Sequence, residues 1–307
     1  MQKGSHMSLE AFSKPGHFYR GNIHTHSTKS DGRLSPEDVC TFYRQRNYDF
    51  LMLSDHFLAE YEYPITDTRP YRDENFTTLI GAELHAPATS HGDLWHILAA
   101  GLPLDFTPPH QDEDAYSLAR RVFEAGAFLA LAHPGWSGLS VEESRRMDMV
   151  HGIEIFNYGC ALETDRADGT HLFDALVNEG CRLSCLAVDD AHFKCEDYLG
   201  AWTMVKAATL DPDDLLSAMK AGEYYSTQGP SLHSLSIEGG DIVIQSSAVF
   251  SIAVLGRGAG NKRVSGGNVT SARIPVDSFA DDWFRVVLLD ENGKRAWSNP
   301  VWLGEKS

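Results

Sequence analysis

Imidazole and carboxylate side chains follow a series of short apolar runs in the first two-thirds of the 307-residue chain. In sheets built mainly from parallel strands, functional groups gather at the carboxyl edge, so side chains far apart in sequence meet there. The residues at these positions are His24, His26, Asp31, Asp55, His56, Glu83, His85, His96, His133, Asp189, Asp190 and His192. Nitrogen and oxygen ligands without a thiolate suit Mn, Fe or Zn about equally, so the series predicts a cluster of divalent metal ions.

The individual motifs differ in how specific they are. In His24-x-His26, strand alternation points both side chains to one face, so both can bind one ion. Asp190-x-His192 repeats this spacing with mixed ligands. Glu83 ends an apolar run, where a buried charge requires a partner. Each motif alone has a structural alternative, such as a pair of core histidines, but their repeated position after apolar runs favours the metal cluster.

A second set of residues near these motifs could contact a substrate or support the ligands. Lys29 and Arg33 follow the first histidine pair and could hold a phosphate group; the alternative is a pair of solvated loop charges. Glu154 and Asn157 end another apolar run and are expected to contact substrate or to support a ligand. Asp189 is expected to orient a ligand rather than to bind metal.

The elements that must position these residues alternate between strands and helices up to about residue 210. Short apolar runs, typical of buried strands, occur at residues 49–53, 78–82, 94–102, 128–132, 152–156, 183–188 and 202–207. Helix signals lie between several of them: Ser35 is a predicted N-cap, apolar residues recur at helical spacing over 115–123, and Asp211 opens a further helix. This alternation predicts an α/β fold with a mainly parallel sheet.

After Gly222 the pattern changes to short strands separated by Gly, Asn, Asp and Ser. These strands are predicted at residues 235–237, 242–244, 250–255, 269–276 and 284–289, and residues 290–293 form a predicted hairpin turn. The chain is therefore divided into an α/β domain at residues 10–222 and a small all-β, sandwich-like domain at 223–307. Residues 1–9 are interpreted as a cloning scar, so His6 is not counted as a ligand.

Acidic residues dominate the charge of the chain: 26 Lys and Arg oppose 43 Asp and Glu, which gives a formal net charge of −17 at pH 7. Long nucleic acids bind basic surfaces, so this composition argues against such a partner. The five cysteines form no CxxC pair and are interpreted as the reduced thiols of a cytoplasmic protein. No apolar run approaches the ~20 residues of a membrane helix. The oligomeric state is not predicted.

The order of the motifs resembles the PHP (polymerase and histidinol phosphatase) family over about residues 18–210. The motifs concerned are His24-x-His26, Asp31-Gly32-Arg33-Leu34-Ser35-Pro36, Ser54-Asp55-His56, Gly81-Ala82-Glu83, His96, Ala132-His133-Pro134 and Asp190-x-His192. The resemblance implies a distorted seven-stranded (β/α)7 barrel with two or three metal ions. The sequence from Lys294 to Pro300 is similar to tails in a carbaryl-hydrolase-like branch of the family.

The resemblance also implies how the ligands are shared among the ions. The ligands of the first ion would be His24, His26, Glu83 and Asp190; those of the second, Glu83, His96 and His133; and those of the third, Asp31, His56 and His192. Glu83 would therefore bridge two ions.

The activity implied is metal-dependent hydrolysis of phosphoester bonds in a small phosphomonoester, a nucleotide or a short phosphodiester. A hydroxide bridging two ions, positioned by Glu83 and Asp190, would attack phosphorus. His85 and His91 are candidate proton donors. Two alternatives stay open: the same site could hydrolyse a carbamate, ester or amide bond, or the chain could be a non-catalytic metal-binding module. The sequence contains neither a Gly-x-Ser-x-Gly motif nor a Walker-type motif, which disfavours serine-hydrolase and nucleoside-triphosphatase mechanisms.

Overall fold

The computed structural model of the protein describes residues 7–279 and 282–304. Most of the helices in these residues lie in the first 220 positions. The α-helices are α1 Met7–Ser13, α2 Pro36–Arg44, α3 Ala115–Glu124, α4 Pro134–Ser137, α5 Val141–Arg145, α6 Tyr158–Glu163, α7 Thr170–Asn178 and α8 Pro212–Lys220. Short 3₁₀ helices occur at Ala59–Tyr61, Arg69–Tyr71 and Val276–Phe279.

Strands occur along the whole chain and become longer after residue 230. They are β1 His17–Asn22, β2 Phe50–Met52, β3 His56–Phe57, β4 Thr77–Leu79, β5 Gly81–Ala86, β6 Trp95–Ala100, β7 Phe128–Leu131, β8 Gly152–Asn157, β9 Ser184–Val188, β10 Trp202–Ala207, β11 Tyr224–Thr227, β12 Leu232–Glu238, β13 Asp241–Gly256, β14 Asn261–Pro275, β15 Trp283–Leu289, β16 Arg295–Ser298 and β17 Val301–Trp302. The predicted strands of both regions are recovered, with residues 242–244 and 250–255 merged in β13.

These strands form two sheets. The larger has the order β12-β13-β15-β16-β11-β10-β1-β2-β4, with β14 paired to β13 and β17 to β15, and the smaller has the order β3-β5-β6-β7-β8-β9. Most pairs near the predicted ligands are parallel, but β6 runs antiparallel to both β5 and β7. This departs from the mainly parallel prediction. Residues 87–94, which join β5 to β6, are too few for the crossover that parallel strands need, about a dozen residues or more.

Individual backbone hydrogen bonds connect the two sheets where the strands end. The amide of Ser54 donates to Thr25 O at 2.8 Å, and the amide of Glu83 donates to Ser54 O at 3.1 Å. On the other side, the amide of Asp190 donates to His24 O at 2.9 Å. Neither sheet is closed within the described residues. The mixed α/β fold is therefore confirmed, and the closed seven-stranded barrel stays a prediction.

The C-terminal strands continue the larger sheet. β11 pairs antiparallel with β10 on one side and with β16 on the other, so hydrogen bonding is continuous from β1 into the C-terminal region. The apolar core of this region also includes side chains from the start of the chain, because Phe12 of α1 and Phe18 of β1 pack against it. The predicted division after residue 222 thus falls between strands of one sheet, and as a domain boundary it stays a prediction.

The expected cloning scar at residues 1–9 is described only from Met7 onward. These residues begin α1, and Leu9 packs against the C-terminal core together with Phe12. Leu9 thus contributes packing to the fold. Residues 1–6, including His6, lie outside the described residues.

Local capping signals position two of the longer helices. Ser35 Oγ accepts a hydrogen bond from the amide of Asp38 at 3.2 Å, and Pro36 occupies the first turn of α2. At α8, Asp211 Oδ1 accepts from the amide of Asp213 at 2.9 Å. Both caps satisfy amides that have no partner inside the helix. The two predicted helix starts are confirmed.

The five cysteines are free thiols, and three of them, Cys40, Cys160 and Cys185, are buried. This agrees with their interpretation as reduced thiols. Among the described helices, none is long and apolar enough to cross a membrane.

Candidate metal centre

The nine predicted ligands come together at the edge where the two sheets meet. Together with His85 they form four overlapping groups, in each of which all ligand nitrogen and oxygen atoms lie within 4.8 Å of one another. The groups are His26, Asp31, His56 and His192; His56, Glu83, His85 and His96; His24, His26 and Asp190; and His24, Glu83 and His133. The sharing of residues between groups places several candidate ion positions side by side.

Glu83 lies at the centre of this cluster and is fully buried. Its Oε2 lies 2.6 Å from His56 Nδ1, and its Oε1 lies 2.8 Å from His96 Nδ1 and 3.1 Å from His133 Nε2. Burial alone would raise the pKa of this carboxyl group, but the charges of His96, His56 and His24 outweigh it and hold the pKa well below its ordinary value. Glu83 is therefore a carboxylate that faces several imidazoles at once.

Asp190 is the second shared carboxylate. Its Oδ1 lies 3.1 Å from both His24 Nε2 and His26 Nε2. Burial opposes its ionisation, but His24 and His26 outweigh this effect and hold the pKa of Asp190 well below its ordinary value. The backbone of Asp190 has φ 56°, and that of His133 has φ 24°. Such positive values cost free energy in residues with a Cβ and are maintained where surrounding structure imposes them, often at functional sites.

The group that contains Asp31, His56 and His192 lies nearer to solvent. Asp31 Oδ1 is 3.4 Å from His56 Nε2 and 3.3 Å from His192 Nε2. The structure adds His26 to this group, because its ring centroid lies 4.2 Å from that of His192. Gly32 allows this approach, since a Cβ there would come within 2.5 Å of the carbonyl oxygen of His26. The loop that carries Asp31 can therefore fold directly over the first histidine pair.

The hydrogen bonding inside the cluster fits a bound cation. Four buried ligand-type atoms, His24 Nε2, Asp31 Oδ1, Glu83 Oε2 and His85 Nδ1, have no well-aligned hydrogen bond among the described residues. Buried polar atoms left in this state are costly, and a divalent ion would satisfy them. Burial, followed by the charges of His192 and His56, lowers the pKa of His26 to about 3, whereas nearby carboxylates outweigh burial and raise the pKa of His24, His56, His133 and His192.

A second layer of polar residues holds the ligands. Glu154 is fully buried, and its Oε1 lies 2.6 Å from His24 Nδ1. Its Oε2 accepts a hydrogen bond from the amide of His133 at 2.6 Å. The side-chain amide of Asn157 donates to Glu154 Oε2 at 2.9 Å and to Asp190 Oδ2 at 3.1 Å. Its side-chain oxygen accepts a hydrogen bond from the amide of Cys160 and so caps α6. Asn157 is fully buried and these bonds occupy its amide, which suits the support of a ligand, one of the two roles expected from the sequence; its contact with substrate stays a prediction.

Asp189 organises the loop that follows its neighbour Asp190. It accepts backbone N–H bonds from Leu199 and Gly200 at 2.8 Å and the hydroxyl of Tyr43 at 2.7 Å. Burial raises the pKa of Asp189 to about 6, and these hydrogen bonds oppose the rise. Asp189 makes no ligand group with the cluster among the described residues. Its contacts suit the expected role of orienting a ligand.

Lys29 and Arg33, the predicted phosphate contacts, are exposed on the loop that carries Asp31. Within the described part of the chain neither side chain forms an ion pair, and the amide of Arg33 fixes the loop by donating to His192 O at 2.9 Å. A third base, Lys194, lies 2.7 Å from Asp31 Oδ2. Lys194 thus contacts the cluster directly, whereas Lys29 and Arg33 share the loop of Asp31.

His85 is the ligand-type residue that sequence reasoning placed in another role. Its Nε2 lies 2.9 Å from His56 Nδ1, and it shares a ligand group with Glu83. Burial lowers the pKa of His85 to about 3, which favours the neutral ring, and its role as a proton donor stays a prediction. The signal that could have found it is the spacing Glu83-x-His85, which strand alternation places on one face of β5. His91, the other candidate proton donor, is exposed and belongs to none of the four groups.

Comparisons with known proteins show a related fold. The chain is similar to a two-domain protein from Bacteroides vulgatus containing a predicted PHP-like metal-dependent phosphoesterase, with a TM-score of 0.54, 14% identity, and coverage of 97% of this chain and 99% of that one. It also resembles an amidohydrolase from Chromobacterium violaceum solved with bound sulfate and no metal, with a TM-score of 0.44, 16% identity, and coverage of 56% of this chain and 87% of that one.

A presumed metal-dependent phosphoesterase from Bifidobacterium adolescentis matches with a TM-score of 0.42, 14% identity, and coverage of 56% of this chain and 87% of that one. No protein-family model matches the chain, and no curated protein matches it by sequence. At these identities the likeness concerns the fold, which the Bacteroides protein shares along its full length. None of these matches shows the carbaryl-hydrolase-like branch.

Proposed function

We propose that the protein is a metal-dependent hydrolase of PHP type that cleaves phosphoester bonds in small phosphorylated substrates. The observation that carries the proposal is the sharing of Glu83 and His24 between ligand groups, which would hold two or three ions of Mn, Fe or Zn next to one another. Ions about 3.5–4 Å apart are the usual arrangement for displacement at phosphorus.

The residues divide into those that hold ions and those that meet solvent. His24, His26 and Glu83 are fully buried and form the floor of the cluster. His56, His192 and His96 keep 17%, 16% and 15% of their side chains exposed, so substrate can reach the cluster from the side that these three residues form. Divalent ions held here would polarise the bond to be cleaved and activate water.

The charged groups around the opening suit a phosphate group. Lys194 pairs with Asp31, and Lys29 and Arg33 are exposed on the loop that carries Asp31. A tetrahedral phosphate offers oxygens to several cations at once, and these bases can bind oxygens that face solvent. A planar, neutral carbamate would use fewer of these contacts, which is why the phosphoester is the preferred substrate in this proposal.

The charge of the whole chain limits the size of the substrate. The formal net charge is −17, and each phosphate beyond the first few would meet repulsion outside the opening. A phosphomonoester, a nucleotide or a short phosphodiester is therefore the proposed substrate class, and long nucleic acid is not a partner in this proposal.

The test is a comparison of kcat/KM for a phosphomonoester, a dinucleotide, a long oligonucleotide and an aryl carbamate with metal-reconstituted protein at two salt concentrations. The proposal expects the phosphomonoester or dinucleotide to be cleaved best. For substitution of the candidate ligand Glu83, Glu223→Gln is a matched control, because Glu223 is a buried carboxylate that pairs with Lys14 and belongs to none of the ligand groups. Carbamate turnover about a hundredfold above the best phosphoester would transfer the assignment to carbamate, ester or amide hydrolysis.

A further inference from the structure

Trp136 is a large apolar side chain that stays exposed beside the histidine cluster. It lies on α4, three residues after His133, and 40% of its surface is accessible. Its ring centroid lies 5.0 Å from that of His133 and 5.4 Å from that of His96, at interplanar angles of 76° and 67°. Both imidazoles also contact Glu83, so the indole lies one ring away from the candidate ions.

The backbone that carries the indole is held by local hydrogen bonds. The amides of Trp136 and Ser137 both donate to His133 O, at 2.9 and 3.0 Å. Ser137 Oγ lies 3.1 Å from His133 Nδ1, which ties the same turn to a predicted ligand. Gly138 then ends α4 with φ 63°, a conformation that favours glycine. The exposed ring is thus held by the segment that supplies His133.

The exposure of Trp136 is unusual for this chain. Of the six tryptophans, Trp95, Trp283 and Trp297 are buried, and Trp202 and Trp302 are partly buried. Trp136 is exposed. Single exposed apolar side chains are common on protein surfaces, so the proposal below uses the place of this indole beside His96 and His133 and not its exposure alone.

Two further side chains extend an apolar border around the opening. Leu94 is 38% exposed and precedes β6 directly, where strand alternation continued by one residue places it on the face that carries His96. Tyr61 lies beside His56, with ring centroids 6.2 Å apart and nearly parallel planes at 24°. Trp136 thus lies on the His96 side of the cluster and Lys194 on the Asp31 side, while Tyr61 stacks beside His56, which contacts Asp31.

We propose that Trp136 is a specificity-determining residue that stacks against a planar aromatic group of the substrate. The preferred substrates are then esters whose organic part carries an aryl or heteroaryl ring close to the bond that is cleaved. This inference rests on the proposed function, because it assigns the phosphate to the ions and bases and the organic part to the apolar border. Stacking of aromatic rings provides an affinity beyond that of burial alone.

Binding of two phosphonates that cannot be hydrolysed isolates the stacking. Benzylphosphonate and cyclohexylmethylphosphonate have the same charge and nearly the same length, but only the first has a planar aromatic ring. We expect metal-reconstituted wild-type protein to bind the benzyl compound about two- to tenfold more tightly in calorimetry. Trp136→Ala should remove this preference, and Trp136→Phe should keep part of it. Phe123→Ala, which removes an exposed ring from α3, should leave it unchanged.

Turnover provides a second measurement. Benzyl phosphate and cyclohexylmethyl phosphate both release primary alcohols, so the ratio of their kcat/KM values in wild type and in Trp136→Ala reports the ring contact and not the leaving group. Metal content, measured by elemental analysis, should be equal in all variants. Retention of the benzyl preference in Trp136→Ala would overturn the proposal. Metal loss in both Trp136 variants would also overturn it, because the indole would then only pack against His96 and His133.

Failure of the phosphoesterase proposal would give a different result. Metal-loaded protein would then bind neither phosphonate and would cleave neither phosphate. The N-methylcarbamates of benzyl alcohol and cyclohexylmethanol would then test Trp136 on its own. A benzyl preference that depends on Trp136 would support the stacking role whatever bond is cleaved. Absence of that preference in both series would refute it.

Discussion

Glu83→Gln is expected to weaken metal binding strongly while preserving the shape of the side chain. The Glu83 carboxylate lies 2.6, 2.8 and 3.1 Å from nitrogens of His56, His96 and His133, and it is fully buried. Removing one partner of a buried charged contact costs about 3–5 kcal/mol. Because each 1.4 kcal/mol is a factor of ten, the affinity for ions bridged by Glu83 should fall roughly a hundredfold to a few thousandfold.

The assay is equilibrium dialysis of the metal-free protein against a buffered series of Mn²⁺ concentrations, followed by elemental analysis. Glu83→Gln should bind fewer ions per chain at the concentration that saturates the wild type, and turnover should be lost with them. Glu223→Gln removes another buried carboxylate and should behave like wild type. Circular dichroism and thermal unfolding of the metal-free proteins check that both variants fold.

Unchanged metal stoichiometry and affinity in Glu83→Gln would refute this reasoning. Such a result would mean that the carboxylate only neutralises nearby imidazoles in the folded protein. Loss of metal in Glu223→Gln as well would show that buried carboxylates affect binding indirectly through the fold.

Three further outcomes follow from the contacts. Burial lowers the pKa of His151 from 6.5 to about 4, so the unfolded chain takes up the proton first and the folded state loses stability as pH falls from 6.5 to 4. His151→Asn keeps an acceptor for the Leu129 amide and should remove about 3 kcal/mol of this loss. Denaturant titrations at the two pH values measure the difference. Arg285→Met should lower the free energy of unfolding by about 2–3 kcal/mol, because Arg285 is buried and binds both oxygens of Asp174. Mn²⁺ at about 100 times its dissociation constant should raise the free energy of unfolding by about 2.7 kcal/mol per site, and a chelator should reverse this in the same titration.

Several candidate ligands could be recognised from the sequence because they lie in short motifs with a local physical meaning, whereas the sharing of ligands among ions came only from the resemblance to the PHP family. His24 and His26 share a face by strand alternation, and Glu83 is a charge at the end of an apolar run. Such features need no knowledge of distant contacts. The N-caps of α2 and α8 were predictable for the same reason, since Ser35 and Asp211 bond to amides a few residues away.

Contacts between distant parts of the chain could not be predicted from local sequence motifs. Glu154 contacts His24 across 130 positions, and Asn157 contacts Asp190 across 33, so their positioning roles depend on how the strands are ordered in the sheets. The direction of β6 depends on the length of a loop, and the continuity of the larger sheet depends on pairing between β10 and β11. The exposure of Trp136 likewise follows from packing, because its sequence neighbourhood does not distinguish it from a core residue.

The most direct test of the account is a crystal structure of metal-reconstituted protein with anomalous scattering from the bound ions. We expect two or three ions in the cluster, with at least one contacting His24, His26 and Asp190 and another contacting Glu83, at distances of about 2.0–2.2 Å. Glu83 should contact two of them. Metal-loaded crystals in which the ions lie elsewhere, while these side chains keep their present mutual contacts, would contradict the central claim.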